Sequence, residues 1–271
     1  MSPQAVAEAT RLWLPLLREL SDAAPEWAVW KNADDALNGA GDVDCMAPRR
    51  HWDDVEHRFL RWARAHGLGP VVVCRHAPGA LFLVALDPSD GPWLQLDVRS
   101  VATLRGAPVC DAEDVAGLAI ADERGFRRLA PGAEGALKLV ISGIAPGGRP
   151  NLRGLRKERV GELLRADPSG VRRAARLFGP AEGALLAGAE AAAAGSWNRR
   201  AMALVEGSVM LRVLRRPTSP MAQLGMRRAK RRCPVLVTGI RHGRTIPGAR
   251  AEWLRTVAET HIVHGRDPAR G

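Results

Sequence analysis

The spacing of apolar residues changes once along this chain, near Arg128, and that change limits what it can fold into. Upstream, apolar residues come in short runs bounded by Gly, Pro, Asn and Asp: Trp27 to Trp30, Asp42 to Ala47, Val71 to Cys74, Ala80 to Leu86 and Trp93 to Val98. Runs of this length read as strands. Two helical patterns lie among them, Gln4 to Leu20 and Arg50 to His66, the second opened by Pro48 and closed by Gly67. Downstream the period becomes helical in Ala136 to Ile144, Leu152 to Ala166, Gly170 to Leu177, Ala181 to Ala194 and Arg199 to Leu214, separated by short Gly/Pro/Asp/Ser turns.

The expected architecture is therefore α+β: a small mixed β-sheet with flanking helices over residues 1–128, followed by an α-helical domain over 129–214. A basic segment, 215–271, ends the chain, with a strand expected at Val235 to Thr238 and a helix at Ala249 to Glu259. At 271 residues and 46% hydrophobic composition a core forms without covalent help. The four cysteines, Cys45, Cys74, Cys110 and Cys233, have no metal or redox spacing. The opening residues lack a secretory pattern, and no apolar run is long enough to span a bilayer, so a cytoplasmic setting is expected.

Charge follows the same division. Residues 1–125 carry 12 Lys+Arg against 19 Asp+Glu, whereas 126–271 carry 28 against 10. A basic half of this kind suits a polyanionic partner, nucleic acid included, although 36 of the 40 basic residues are arginine, as a GC-rich coding sequence also produces. Tyrosine is absent and phenylalanine scarce, so stacking platforms for single strands are not evident.

The chemistry concentrates in Trp30-Lys31-Asn32, nine further residues, and Asp42-Val43-Asp44. Side chains two apart on a strand share a face, so Asp42 and Asp44 present paired carboxylates roughly 6–7 Å apart along the backbone. Adjacent anions need a cation, and hard oxygen donors suit magnesium. Asp97 stands alone inside the apolar run Trp93 to Val98, where a buried charge is unfavourable without a partner. A neighbouring strand would place it beside the pair. Similar acidic pairs, Asp54/Glu56 and Asp111/Glu113, fall on a helix and a loop and lack this context.

These residues resemble the nucleotidyltransferase superfamily that includes DNA polymerase beta and the antibiotic nucleotidyltransferases. Its pattern is an apolar strand, Gly-Gly or Gly-Ser, a spacer, Asp-x-Asp or Asp-x-Glu, and a later Asp on another strand. Trp30 matches the apolar residue, Lys31 and Asn32 stand at the Gly and Ser positions, Asp42 and Asp44 at the metal pair, and Asp97 at the third carboxylate. Gly41 to Cys45 looks most like bacterial members reading Gly-Asp-Ile-Asp-Leu after a Leu-Lys/Arg-Asn element. The resemblance covers residues 25–100.

It implies that Asp42 and Asp44 hold magnesium on a nucleoside triphosphate, and that Asp97 binds a second ion and helps deprotonate an acceptor hydroxyl. The implied reaction is in-line attack on the α-phosphorus with pyrophosphate leaving. Lys31 and Asn32 depart from the family pattern; they take the phosphate-contacting place as a point charge and a hydrogen-bond donor. Two functions are compatible with this. One is a magnesium-dependent nucleotidyltransferase acting on a small-molecule hydroxyl or phosphate acceptor. The other is an inactive nucleotidyltransferase-like module that binds nucleic acid or a partner protein through its basic half.

Weaker candidates lie elsewhere. Lys138 is expected as a snorkelling surface lysine or, alternatively, a group turned toward the triphosphate. Gly239 to Thr245 differs from a phosphate-binding loop in spacing and in its missing Lys, and is expected as a hairpin turn. His261 and His264 have no third ligand near them in sequence, and no Gly-x-Ser-x-Gly element occurs.

Overall fold

The computed structural model describes residues 3–75, 79–86, 94–215 and 239–241. The protein is mixed α+β and falls into two compact units. Met1–Ser100 and Arg124–Phe126 belong to the first, with the strand Gly239–Arg241; Val101–Glu123 and the chain from Arg127 to the last described helix belong to the second.

In the first unit, β1 (Ala28–Lys31), β2 (Val43–Met46), β3 (Val71–Cys74), β4 (Ala80–Ala85) and β5 (Leu94–Arg99) form a mixed sheet in the order β3-β4-β5-β2-β1. The β2–β5 pair is parallel, while β1–β2, β4–β5 and β3–β4 are antiparallel. Helices α1 (Pro3–Ala23), α2 (Ala33–Leu37) and α3 (Trp52–Ala65) supply the other half of the core. Alternation decides what each strand contributes to it: Val43 and Cys45, Leu81 and Leu83, and Leu96 and Val98 join one buried cluster with Leu16 and Leu20 of α1 and Phe59 of α3. Trp13 stacks on Trp62 with ring centroids 5.1 Å apart, and the Trp62 indole N–H donates to the Leu12 carbonyl at 2.8 Å, which ties α1 to α3.

The intervening residues of each strand point the other way. That second face carries Val72, Cys74, Phe82 and Val84 on β3 and β4, polar residues on β5, and Asp44 beside the buried Met46 on β2. Helix α2 forms between β1 and β2, where Ala33, Ala36 and Leu37 bury themselves against the core. An apolar face of three residues is too short to stand out as a helical period.

The second unit opens with a hairpin, β6 (Val101–Leu104) and β7 (Ala107–Asp111), that leads into α4 (Ala112–Leu118) through a reciprocal cap between Asp111 and Asp114. Strands β8 (Ala119–Ala121) and β9 (Arg127–Leu129) pair with each other. Helices α5 (Pro131–Ile141), α6 (Lys157–Ala166), α7 (Pro168–Arg176), α8 (Glu182–Ala193) and α9 (Arg199–Arg215) follow, with the short pair β10 (Ile144–Ala145) and β11 (Arg149–Pro150) after α5. Helix α5 packs on α6 and α7, and α8 packs on α6, α7 and α9.

Strand β12 (Gly239–Arg241) pairs with β3 where a turn is expected from sequence. The strand expected at 235–238, the helix at 249–259, the histidines at 261 and 264 and the rest of the basic segment lie outside the described residues. Among the described residues, no helix is long and apolar enough to cross a membrane.

Candidate metal centre

Strand register brings the sequence-predicted residues together. Asp44 on β2 is the register partner of Asp97 on the parallel strand β5, and Lys31 on β1 is the register partner of Asp44 from the other side. Phe82 on β4 stands beyond Asp97. Lys31, Asp44, Asp97 and Phe82 therefore form one row across four neighbouring strands. Asp42, two residues before Asp44, leads into β2, and the three carboxyls each offer an oxygen within 4.8 Å of the others.

Lys31 reaches this row through an irregularity in β1. Val29 pairs with Cys45 and faces the core; simple alternation would send Lys31 the same way. The register shifts by one between Val29 and Lys31, which makes Trp30 an extra residue, a β-bulge, and turns Lys31 onto the carboxylate face. Its ammonium then lies 2.8 Å from Asp44 Oδ2 and 5.2 Å from the centroid of the Trp30 ring. Asn32 follows with φ 53° and ψ 30°, a left-handed conformation that asparagine tolerates better than most residues, and its carbonyl accepts the Ala36 N–H that opens α2.

The site is short of positive charge. Asp44 and Asp97 are buried, at 1% and 6% exposure, while Asp42 is partly exposed. Burial is the main cause that pushes the Asp97 carboxyl up to about 7. The Gln95 amide, donating to Asp97 Oδ1 at 2.7 Å, opposes the shift, and the charges of Asp42 and Asp44 add to it. Burial also raises Asp44, against the pull of Lys31. The three carboxyls are placed so that they could hold a metal ion through oxygen.

Two residues beside the cluster escape a motif search. Gln95 and Arg99 occupy β5 two positions either side of Asp97, so all three share a face, and Arg99 contributes positive charge at Asp44. The signal that marks them is strand alternation around Asp97.

The other acidic pairs have structural partners. Asp54 binds Arg58, Glu56 binds Arg75, and Asp111 caps α4. Lys138 is not a snorkelling surface residue: its ammonium lies 2.7 Å from Glu134, itself buried in α5, within the second unit. That unit also holds a cavity of about 850 Å3 between the β7 and α9 residues, lined by Val109, Phe178, Leu204 and Arg212 among others and by none of the three clustered carboxylates.

Comparisons with protein-family models, with curated proteins and with solved structures find no match for this chain.

Proposed function

We propose that this protein is a magnesium-dependent nucleotidyltransferase with a nucleotidyltransferase-like first unit, moving a nucleoside monophosphate from a nucleoside triphosphate to a hydroxyl or phosphate group of a small molecule. The observation that carries the reading is the meeting of Asp44 and Asp97, register partners 53 residues apart on two strands, with Asp42, which leads into β2, at one point on a sheet face that the main core does not use. Burying carboxylates side by side costs several kcal/mol unless a cation repays it. A strand with no such duty would carry an apolar or hydroxyl side chain at these positions.

In this reading Asp42, Asp44 and Asp97 hold the ion, and Asp97 accepts the proton of the attacking acceptor. Magnesium, when bound, neutralises the triphosphate and polarises the phosphorus under attack. Asn32, just past the end of β1, addresses the phosphates, Lys31 neutralises Asp44 beside them, and Gln95 fixes the orientation of Asp97 through its Oδ1. Strands hold Lys31, Asp44, Gln95 and Asp97 more firmly than loops would.

The deciding experiment is a thermal-shift series with nucleoside triphosphates, with and without magnesium, on the native chain and on Asp44→Ala. Ligand binding to the folded state raises the melting temperature by mass action. The shift should need magnesium and vanish in the variant; equal shifts in both proteins would remove the site from the account.

The basic half favours a second reading, a module that binds nucleic acid without catalysis. Such binding would weaken steeply with salt and survive Asp42→Ala.

A further inference from the structure

We infer that Lys31 is a built-in cation of the carboxylate cluster, so that the centre takes one divalent ion and not two. The inference rests on the metal reading above and specifies it. Two divalent ions would bring four positive charges to three carboxylates, and Lys31 and Arg99 already bring two. The Lys31 ammonium forms an ion pair with Asp44 Oδ2 at 2.8 Å, a buried oxygen that has no hydrogen-bond partner among the described residues, and the Gln95 amide donates to Asp97 Oδ1 at 2.7 Å. The three carboxyls each offer one oxygen within 4.8 Å of the others, a single set of donors.

The position of Lys31 is constructed. Without the bulge at Trp30 its side chain would follow Val29 into the core; with it, the ammonium is delivered to the buried edge of Asp44 and lies over the Trp30 ring. The Asp44 side chain is only 2% exposed, so water cannot share Oδ2 with the ammonium to any extent. Arg99, on the same face of β5 two residues past Asp97, adds a second fixed positive charge felt at Asp44. Lys31 and Arg99 together carry the charge of one divalent ion. They would do the electrostatic work of a second metal without its coordination demands.

The test is a titration of the full-length chain, stripped with a chelator, with Mn2+ alone. Bound ion is counted by loss of the electron paramagnetic resonance signal of free Mn2+ and by calorimetry, and neither readout requires turnover. The native chain should bind one equivalent. Lys31→Met should admit a second equivalent or hold the first at least tenfold more tightly, since a competing cation has gone. Lys31→Arg keeps the charge and should stay at one equivalent, which separates loss of the cation from general damage to the fold.

Two equivalents on the native chain, or a Lys31→Met variant that matches it in number and affinity, would overturn the inference and leave the metal reading standing. No binding to the native chain would overturn the metal reading itself, and this inference with it.

Discussion

Asp97 faces Asp44 across the parallel β2–β5 pair, and the burial they share makes the stability of the metal-free protein depend on pH. The Asp97 carboxyl is raised from 3.8 to about 7 in the folded state. Below about pH 4 it is protonated in both folded and unfolded chains, and its full contribution to stability is present. Between about pH 4 and 7 the unfolded chain loses this proton while the folded one keeps it, so stability falls as pH rises. The loss over that window is on the order of a few kcal/mol. Asp97→Asn should flatten this part of the profile and make the chelator-treated protein more stable than the native one above pH 7. Urea unfolding across that range checks it, read as the difference between the two proteins. A difference that does not change with pH would contradict the assignment.

Lys31 and Asp44 should be strongly coupled in stability. Removing one partner of a buried pair leaves an uncompensated charge, typically costing about 3–5 kcal/mol, whereas removing both can be close to neutral. The cost of Lys31→Met should fall toward the lower end of that range or below it, because Asp44 is already displaced upward by burial and can take a proton. Asp44→Asn combined with Lys31→Met should recover most of the loss. A double-mutant cycle in urea at neutral pH, with chelator present, measures the coupling. Additive single effects would mean that the 2.8 Å contact contributes little.

Asn32 separates backbone from side chain. Its φ of 53° is a conformation that glycine adopts freely. Asn32→Gly should therefore keep the melting temperature within a few degrees of the native value, while Asn32→Ala loses about 1 kcal/mol. If the Asn32 amide contacts phosphate, both variants should lose the magnesium-dependent triphosphate shift to a similar degree. Retention of the shift by the glycine variant alone would assign the position a purely conformational role.

What the sequence reveals about this site follows from strand alternation. Asp42, Asp44 and Asp97 can be found because isolated carboxylates inside apolar runs conflict with burial, and the parallel pairing of β2 with β5 then aligns them. The position of Lys31 cannot be found that way, since the bulge at Trp30 reverses its face and no residue in Ala28–Lys31 announces a bulge. The β6–β7 hairpin is hidden for a related reason. Its turn residues, Arg105 and Gly106, both have positive φ, of 49° and 97°, a geometry usually marked by Asn-Gly or Asp-Gly. Arginine at the first position conceals it. The helices of the second unit are easier to recognise, because α6, α8 and α9 present several turns each between Gly, Pro or Asp breaks, and tertiary packing shifts only their ends.

Helices α5 and α7 should tolerate no side chain at Gly132. A Cβ there would lie 1.8 Å from the backbone oxygen of Asp167 and 2.7 Å from the Val171 nitrogen, both parts of the main chain that cannot rotate away. The same Asp167 caps α7, accepting the Gly170 N–H at 2.8 Å, and accepts the Gly132 N–H at 3.2 Å, so one carboxylate fixes the start of both helices. Gly132→Ala must separate the two backbones and should destabilise the second unit by about 3 kcal/mol or more, the upper range for overpacking. Gly117 in α4 supplies the control, since a Cβ there meets nothing within 4 Å. Gly117→Ala should be neutral or stabilising by up to about 1 kcal/mol through helix propensity. Thermal melts of the two variants, followed by far-ultraviolet circular dichroism, should show a lowered melting temperature for Gly132→Ala alone if the close approach of α5 to Asp167 is as described; a Gly132→Ala protein that melts with the native one would refute it.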